Sequence, residues 1–241
     1  MIRIGCAGWS IASRQAGLFG EGDSVLARYA TRFDAVEVNS TFYRSHRPDT
    51  FVRWAAAVPR TFRFSVKLPK TITHEARLVR TAPLIRAFAQ EVAGLGAKLG
   101  GVLVQLPPSL AFDARVAGAF FRAMRAAFDA PLCCEPRHGS WFESRVDALW
   151  ERFDIARVAA DPPQPEGAGA PGDAGRWRYF RLHGAPRMYY SAYDDARLVS
   201  LAAQLRACDR QRRPVWCIFD NTAHSHAVEN AARLQEMLGL R

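Results

Sequence analysis

Eight short β-rich runs recur along the chain, and the segments between them mostly carry a helical pattern. The runs predicted as strands are Ile2–Cys6, Phe33–Asn39, Phe62–Leu68, Gly101–Leu106, Leu132–Pro136, Ile155–Ala160, Trp177–Leu182 and Val215–Phe219. Helical periodicity is read over Ser24–Thr31, Thr50–Ala57, Ala82–Lys98, Ala114–Phe128, Ser144–Phe153, Asp195–Arg210 and Ser225–Leu238. Thr81 and Asp113 stand where N-caps belong, and Gly239 where the last helix should stop. Strands that alternate with helices build a parallel sheet, because each parallel neighbour needs a crossover. Eight such units in 241 residues are the size of one closed (β/α)8 barrel of the TIM type, a single α/β domain over residues 1–241. A doubly wound open sheet would place a glycine-rich phosphate turn after the first strand. Here that turn reads Gly5-Cys6-Ala7-Gly8-Trp9, without the G-x-G-x-x-G spacing. The segment Asp161–Gly175 is too rich in Pro and Gly for a helix, so an irregular loop, either a lid or a mobile connection, is expected to replace the crossover after the sixth strand.

No apolar run approaches the roughly 18 residues that span a bilayer, so no membrane partner is expected. The start of the chain lacks a signal-like apolar region, which leads to a cytoplasmic expectation. The five cysteines, Cys6, Cys133, Cys134, Cys208 and Cys217, form no C-x-x-C pair and are read as free thiols rather than as a disulfide framework or zinc site. The formal charge is +10, and all but three of the 33 basic residues are arginine. Most are scattered, although Arg206, Arg210, Arg212 and Arg213 gather near one helix end. Such a surface keeps a non-catalytic nucleic-acid-binding or scaffold protein as the alternative function.

The strand ends carry the chemistry. Polar residues recur there between apolar ones: Glu37 between Val36 and Val38, Lys67 between Val66 and Leu68, Gln105 between Val104 and Leu106. The series continues with Glu135, Asp161, Arg181 with His183, and Asp220. Side chains alternate along a strand, so where the apolar set packs on the helices the polar set faces the barrel axis. In a TIM barrel that end is where catalytic residues sit. Any one of these groups could be half of a structural ion pair. Burying so many ionisable groups for stability alone is costly, which favours a site.

At these same motifs the chain resembles the YecE-like family, uncharacterised TIM-barrel proteins with a domain of unknown function. The resemblance runs through Gly5-Cys6-Ala7-Gly8-Trp9, Val36-Glu37-Val38-Asn39-Ser40-Thr41-Phe42-Tyr43 and Phe64-Ser65-Val66-Lys67-Leu68-Pro69. It continues through Gln105-Leu106-Pro107-Pro108-Ser109 and Glu135-Pro136-Arg137-His138-Gly139-Ser140-Trp141. It closes with Tyr179-Phe180-Arg181-Leu182-His183-Gly184 and Ile218-Phe219-Asp220-Asn221-Thr222. It implies the barrel and carries no reaction with it.

The residues themselves favour acid–base catalysis, as hydrolysis, isomerisation or elimination, on a small anionic molecule, phosphorylated ones included. Glu37 and Glu135 are the candidate acid/base pair and His183 a candidate proton shuttle. Lys67, Arg137 and Arg181 would hold the anion. Asn39, Gln105, Asp161, Asp220 and Asn221 would orient its polar groups, with Tyr43 and Trp141 against its ring or chain. A glycosidase would also use two carboxylates and aromatics, but it leaves Lys67 and Arg181 surplus to a neutral sugar. A divalent metal could draw on Glu37, Glu135, His183 and Asp220. Lys67 and Arg181 would repel it, so no cofactor and no metal are expected.

Overall fold

The computed structural model describes residues 1–240. Nine parallel strands form one sheet: β1 (Ile2–Ala7), β2 (Ala35–Val38), β3 (Arg63–Lys67), β4 (Leu99–Gln105), β5 (Leu132–Glu135), β6 (Ile155–Arg157), β7 (Ala159–Asp161), β8 (Arg178–Leu182) and β9 (Val215–Phe219). The helices are α1 (Val25–Tyr29), α2 (Ser40–Tyr43), α3 (Pro48–Ala56), α4 (Ala82–Val92), α5 (Ala114–Ala127), α6 (Asp147–Arg152), α7 (Asp195–Arg210) and α8 (His226–Leu238). The hydrogen-bonded order is β6-β5-β4-β3-β2-β1-β9-β8-β7, a nearly closed parallel α/β barrel.

The count is nine where the sequence predicts eight, because the sixth run is divided at Val158. β6 pairs with β5 up to Arg157, whereas β7 pairs with β8 from Ala159. Closing a barrel requires staggered strands, and here one run changes partner within a single residue to meet that stagger. No helix is long and apolar enough to cross a membrane among the described residues.

Strand alternation sorts the side chains into two cores. Outward residues such as Val36, Val66, Val104, Cys134 and Phe219 pack under the helices. Inward ones form a separate core along the axis, made of Ala35, Leu103, Cys133, Ala156, Val158, Trp177, Tyr179, Trp216 and Ile218. Trp177 fits only because Gly101 faces it: a Cβ there would lie 2.2 Å from the indole ring. The axial core is therefore apolar and aromatic at the start of the strands and ionic at their ends.

Helix boundaries follow local chemistry. The Asp113 carboxylate accepts the Arg115 and Val116 N–H groups at 2.8 and 2.9 Å and starts α5. Thr81, expected to cap α4, is itself helical and donates its hydroxyl to the Leu78 carbonyl instead. The helix predicted over Ala82–Lys98 ends at Val92, and a 3-10 segment with Gly96 at φ 50° completes the connection. Gly239, at φ 68°, ends α8. Between β7 and β8 the regular structure is one 3-10 turn, Glu166–Gly169, with Ala168 buried and the Gly172 N–H bonded to the Arg157 carbonyl.

Candidate functional site

Register brings the strand ends to one level. Glu37 follows Ala35 on the inner face of β2, Lys67 follows Ser65 on β3, and Gln105 lies opposite Glu135 across β4 and β5. On β8, Tyr179 and Arg181 share the inner face, and His183 is the next inward position. Asp220 follows Ile218 at the end of β9.

Arg181 is the centre, and it is fully buried. Its Nε and one terminal nitrogen donate to the two Glu37 oxygens at 3.0 and 2.7 Å. That second nitrogen also reaches Asp220 at 2.9 Å, and the other reaches Glu135 at 2.6 Å. The Tyr179 hydroxyl donates to Glu37 at 2.8 Å. Glu37 is thus sealed beneath the guanidinium, with both oxygens occupied and no exposed surface. It anchors Arg181 and is not placed to meet a substrate.

His183 bridges two carboxylates: Nδ1 lies 3.1 Å from Asp220, and Nε2 lies 3.0 Å from Glu135. An acceptor at both ring nitrogens selects the doubly protonated imidazolium. Burial opposes that charge, but Glu135 and Asp220 outweigh it and raise the pKa above 6.5. Arg137 donates twice to Glu135, at 3.0 and 3.2 Å, and bonds Tyr189 on its other side. Burial alone would raise the Glu135 carboxyl, yet Arg181, His183 and Arg137 together hold it well below its ordinary range. Asp220 is lowered in the same way, against burial, by Arg181 and His183. Glu135 and Asp220 are thus held as anions that bind cations rather than poised as general acids.

Linkage gives this network a two-sided pH signature. Glu135 and Asp220 contribute stability above the unfolded carboxylate range near 4, lost as pH falls through their depressed folded values. His183 contributes stability that is complete below 6.5 and is lost as pH rises toward its raised folded value. The melting temperature should therefore fall below about pH 4 and decline again as the pH rises above about 6.5. In a His183→Gln variant the alkaline decline should vanish; its persistence would mean that His183 is neutral.

Lys67 differs from its neighbours. It is 7% exposed, and its ammonium lies 4.3 Å above the centroid of the Phe42 ring. The ammonium feels Arg181, Glu37, Asp220 and Glu135 but makes no hydrogen bond or ion pair among the described residues. Burial and the Arg181 charge push its pKa from 10.5 down to about 8, although the carboxylates pull it back up. Two further groups lack partners nearby. Among the described residues the Gln105 side-chain amide makes no hydrogen bond, and the Asn39 Oδ1 is enclosed without a donor while its amide nitrogen reaches Asp220 at 3.3 Å.

Other sequence candidates lie elsewhere. Asp161 turns to the outer face, because Ala156 and Val158 already fix the inward parity of that run. There it pairs with Arg197 of α7 and accepts from the Tyr193 hydroxyl. Trp141 is buried beneath the loops, donates to the Leu110 carbonyl at 2.8 Å and stacks on Trp150. Asn221 ties the Ser191 carbonyl to Asn230 of α8. Tyr43 is 71% exposed and reaches the cluster through the edge of Phe42.

Sequence reasoning missed His74. It stands on a π-helical turn, Thr71–Glu75, its ring on the other contact of Phe42 at 5.0 Å, and burial with Lys67 and Arg137 lowers its pKa. Tyr189 also borders the cluster. Its ring edge meets His183 at 5.6 Å, and its backbone sits at φ 69°, held by N–H to the His183 carbonyl and by its own carbonyl to Ala223. A cavity of about 330 Å3 lies away from all these groups, between α6 and the 172–174 segment, lined by Asp147, Trp150, Arg157 and Asp173 among others. It has no comparable convergence of partnerless polar groups.

Comparison with known proteins fits this picture. The model of a family described as "Protein of unknown function DUF72" matches residues 3–241. UPF0759 protein YecE of Escherichia coli (strain K12) is 35% identical over 86 residues, which cover 36% of this chain and 32% of that protein. The aligned stretch is thus only about a third of that relative's length. UPF0759 protein YunF of Bacillus subtilis (strain 168) is 23% identical, covering 100% of this chain and 95% of the relative. The crystal structure of a DUF72 family protein from Enterococcus faecalis V583 superposes with a TM-score of 0.81 at 24% identity, over 100% of this chain and 96% of that one. Another, from Thermotoga maritima MSB8, gives 0.81 at 22% identity, over 99% of each chain. At such identities the structures share the fold.

Proposed function

The chain belongs to the DUF72 family, a membership that brings a fold and no reaction, and from the site itself we propose that it binds a small anionic metabolite at the strand ends and acts on it by acid–base chemistry. The observation that carries this reading is a charge count. Arg181, His183, Arg137 and Lys67 face Glu37, Glu135 and Asp220. Four cations against three carboxylates leave one positive charge over, and it falls on Lys67, the cation with no partner. A phosphate or carboxylate there would complete the balance and gain charge-assisted hydrogen bonds in a poorly hydrated setting.

Lys67 would hold the anion with Arg137 beside it, while Gln105 and Asn39 Oδ1 offer the amide contacts that orient it. For proton transfer, Lys67, its pKa pushed down to about 8, is the group best matched to neutral pH. Hydrolysis, isomerisation and elimination can all start from such a group. The five cysteines are free thiols, which suits a reducing, cytoplasmic setting.

The test is thermal unfolding in the presence of inorganic phosphate, phosphorylated sugars, organic acids and short oligonucleotides. A ligand at about 100 times its Kd adds about 2.7 kcal/mol, roughly 5–10 °C for a chain of this size. A shift from a small anion that disappears in Lys67→Met supports the reading. A shift confined to oligonucleotides, unchanged in that variant and erased by salt, would replace it with the nucleic-acid-binding alternative.

A further inference from the structure

We propose that Lys67 is an amine nucleophile that forms an imine with an aldehyde or ketone carrying a phosphate or carboxylate. The inference rests on the anion-site reading and adds to it the functional group of the substrate. Of the three lysines, Lys98 donates to the carbonyls of Ala55 and Val58, and the exposed Lys70 pairs with Glu75. Lys67 alone holds its nitrogen free, on the inner face of a strand end, with the Phe42 ring on one side and the ionic layer on the other.

A lysine meant for a structural ion pair would be expected to touch one of three nearby carboxylates. Arg181 and His183 have taken all of those oxygens except Asp220 Oδ1, which accepts from the Asn39 amide instead. The result is an amine in a dehydrated setting, unpaired beside the Arg181 charge, where the neutral nucleophilic form is accessible near physiological pH.

The step balances without an oxidant or reductant. The neutral Lys67 nitrogen attacks the carbonyl carbon, and a C–N bond forms as the C=O π pair moves to oxygen. That oxygen takes a proton from solvent. The carbinolamine nitrogen then gives up one of its two protons, which leaves with the oxygen as water as the C–O bond breaks, and a protonated imine remains. The imine draws electrons from the neighbouring carbon, so a proton or a carbon–carbon bond at that carbon becomes labile. The anionic group meets Arg137, and Gln105 and Asn39 remain for hydroxyls along the chain.

The experiment is reductive trapping. The purified protein is incubated with pyruvate, dihydroxyacetone phosphate, glyceraldehyde 3-phosphate or neutral glyceraldehyde, then treated with borohydride and weighed intact. A trapped adduct adds the mass of the carbonyl compound less one oxygen atom. Modified Lys67 resists trypsin, so the label is expected in the peptide covering residues 64–70. The expected result is labelling of Lys67 by an anionic carbonyl compound well above labelling of Lys70 and Lys98. Phosphate should compete, and the label should be lost in Lys67→Arg. Thermal shifts with the same compounds run in parallel. Lys67→Arg keeps a cation but cannot form the imine, so it should retain a shift while losing the adduct.

Anion-dependent shifts without an adduct overturn the imine and leave the anion site standing. Labelling of Lys67 by neutral glyceraldehyde as readily as by its phosphate, without competition by phosphate, supports the amine chemistry and overturns the anion reading. Neither shift nor adduct from any of the four compounds overturns both.

Discussion

Replacing Arg181 with methionine is expected to lower the melting temperature by roughly 6–20 °C, the equivalent of about 3–5 kcal/mol for stripping the partner from buried charge in a chain of this size. Arg181 and Glu37 have no exposed surface and Glu135 only 2%, so water cannot replace the lost guanidinium. Glu37 would keep only the Tyr179 hydroxyl, while Asp220 would lean on His183 and Asn39, and Glu135 on His183 and Arg137. Arg181 is the largest charge holding Glu135 and Asp220 below their ordinary range. The stability it supplies through them is lost as they protonate, so the deficit should narrow toward acidic pH. Adding Glu37→Gln to the variant should restore part of the loss, because it removes a charge that has become unpaired. Thermal unfolding of the wild type, the single variant and the double variant between pH 4.5 and 8 measures all three effects. A melting temperature within a degree of the wild type would show that the network does not hold the barrel together.

The same network shows what was readable from residues alone. Period-two alternation put Glu37, Lys67, Gln105, Glu135, Arg181 and Asp220 on the axis, and a one-residue slip would have exchanged every one of them with an apolar neighbour. Asp161 fails by that same rule: Ala156 and Val158 are inward, so an odd-numbered residue in that run points outward. The division at Val158 was not legible, because closure stagger is a property of the whole ring and not of one strand. Beyond the strand ends no period remains. Nothing local told Trp141 from a ligand contact, placed Asn221 against Asn230, or brought His74 to Phe42 through a π-turn. Depth was equally hidden. Parity puts Glu37 inside but cannot say that Tyr179 and Arg181, two residues apart on one face, will consume its oxygens. Hence the acid/base role read for Glu37 gives way to an anchoring one, while Lys67, read as one anion holder among three, emerges as the distinctive group.

That distinction has a consequence for stability. Lys67→Met should make the unliganded protein more stable while abolishing its response to anions. The variant keeps a flexible, unbranched side chain over Phe42 and brings the site from four cations against three carboxylates to three against three. The folded-state pKa of about 8 against 10.5 means that the charged form is disfavoured in the fold by roughly 3 kcal/mol. Because the replacement also loses attraction to the carboxylates and the ring, a net gain of about 1–2 kcal/mol is expected, within the range seen when apolar groups replace buried charge. That corresponds to roughly 2–8 °C in melting temperature. The pH dependence identifies the cause. Between pH 8 and 10.5 the unfolded wild type binds more protons at Lys67 than the folded one, so wild-type stability rises with pH across that interval on account of this group. The variant lacks that rise, and its advantage should shrink steadily from pH 8 upward. Paired melts at pH 7, 8, 9 and 10, with and without phosphate, test this directly. A variant that is less stable at pH 7 and keeps a constant deficit to pH 10 would show that the Lys67 ammonium belongs to the structural network. In that case the surplus charge at the strand ends would not be a binding site held open at the expense of the fold.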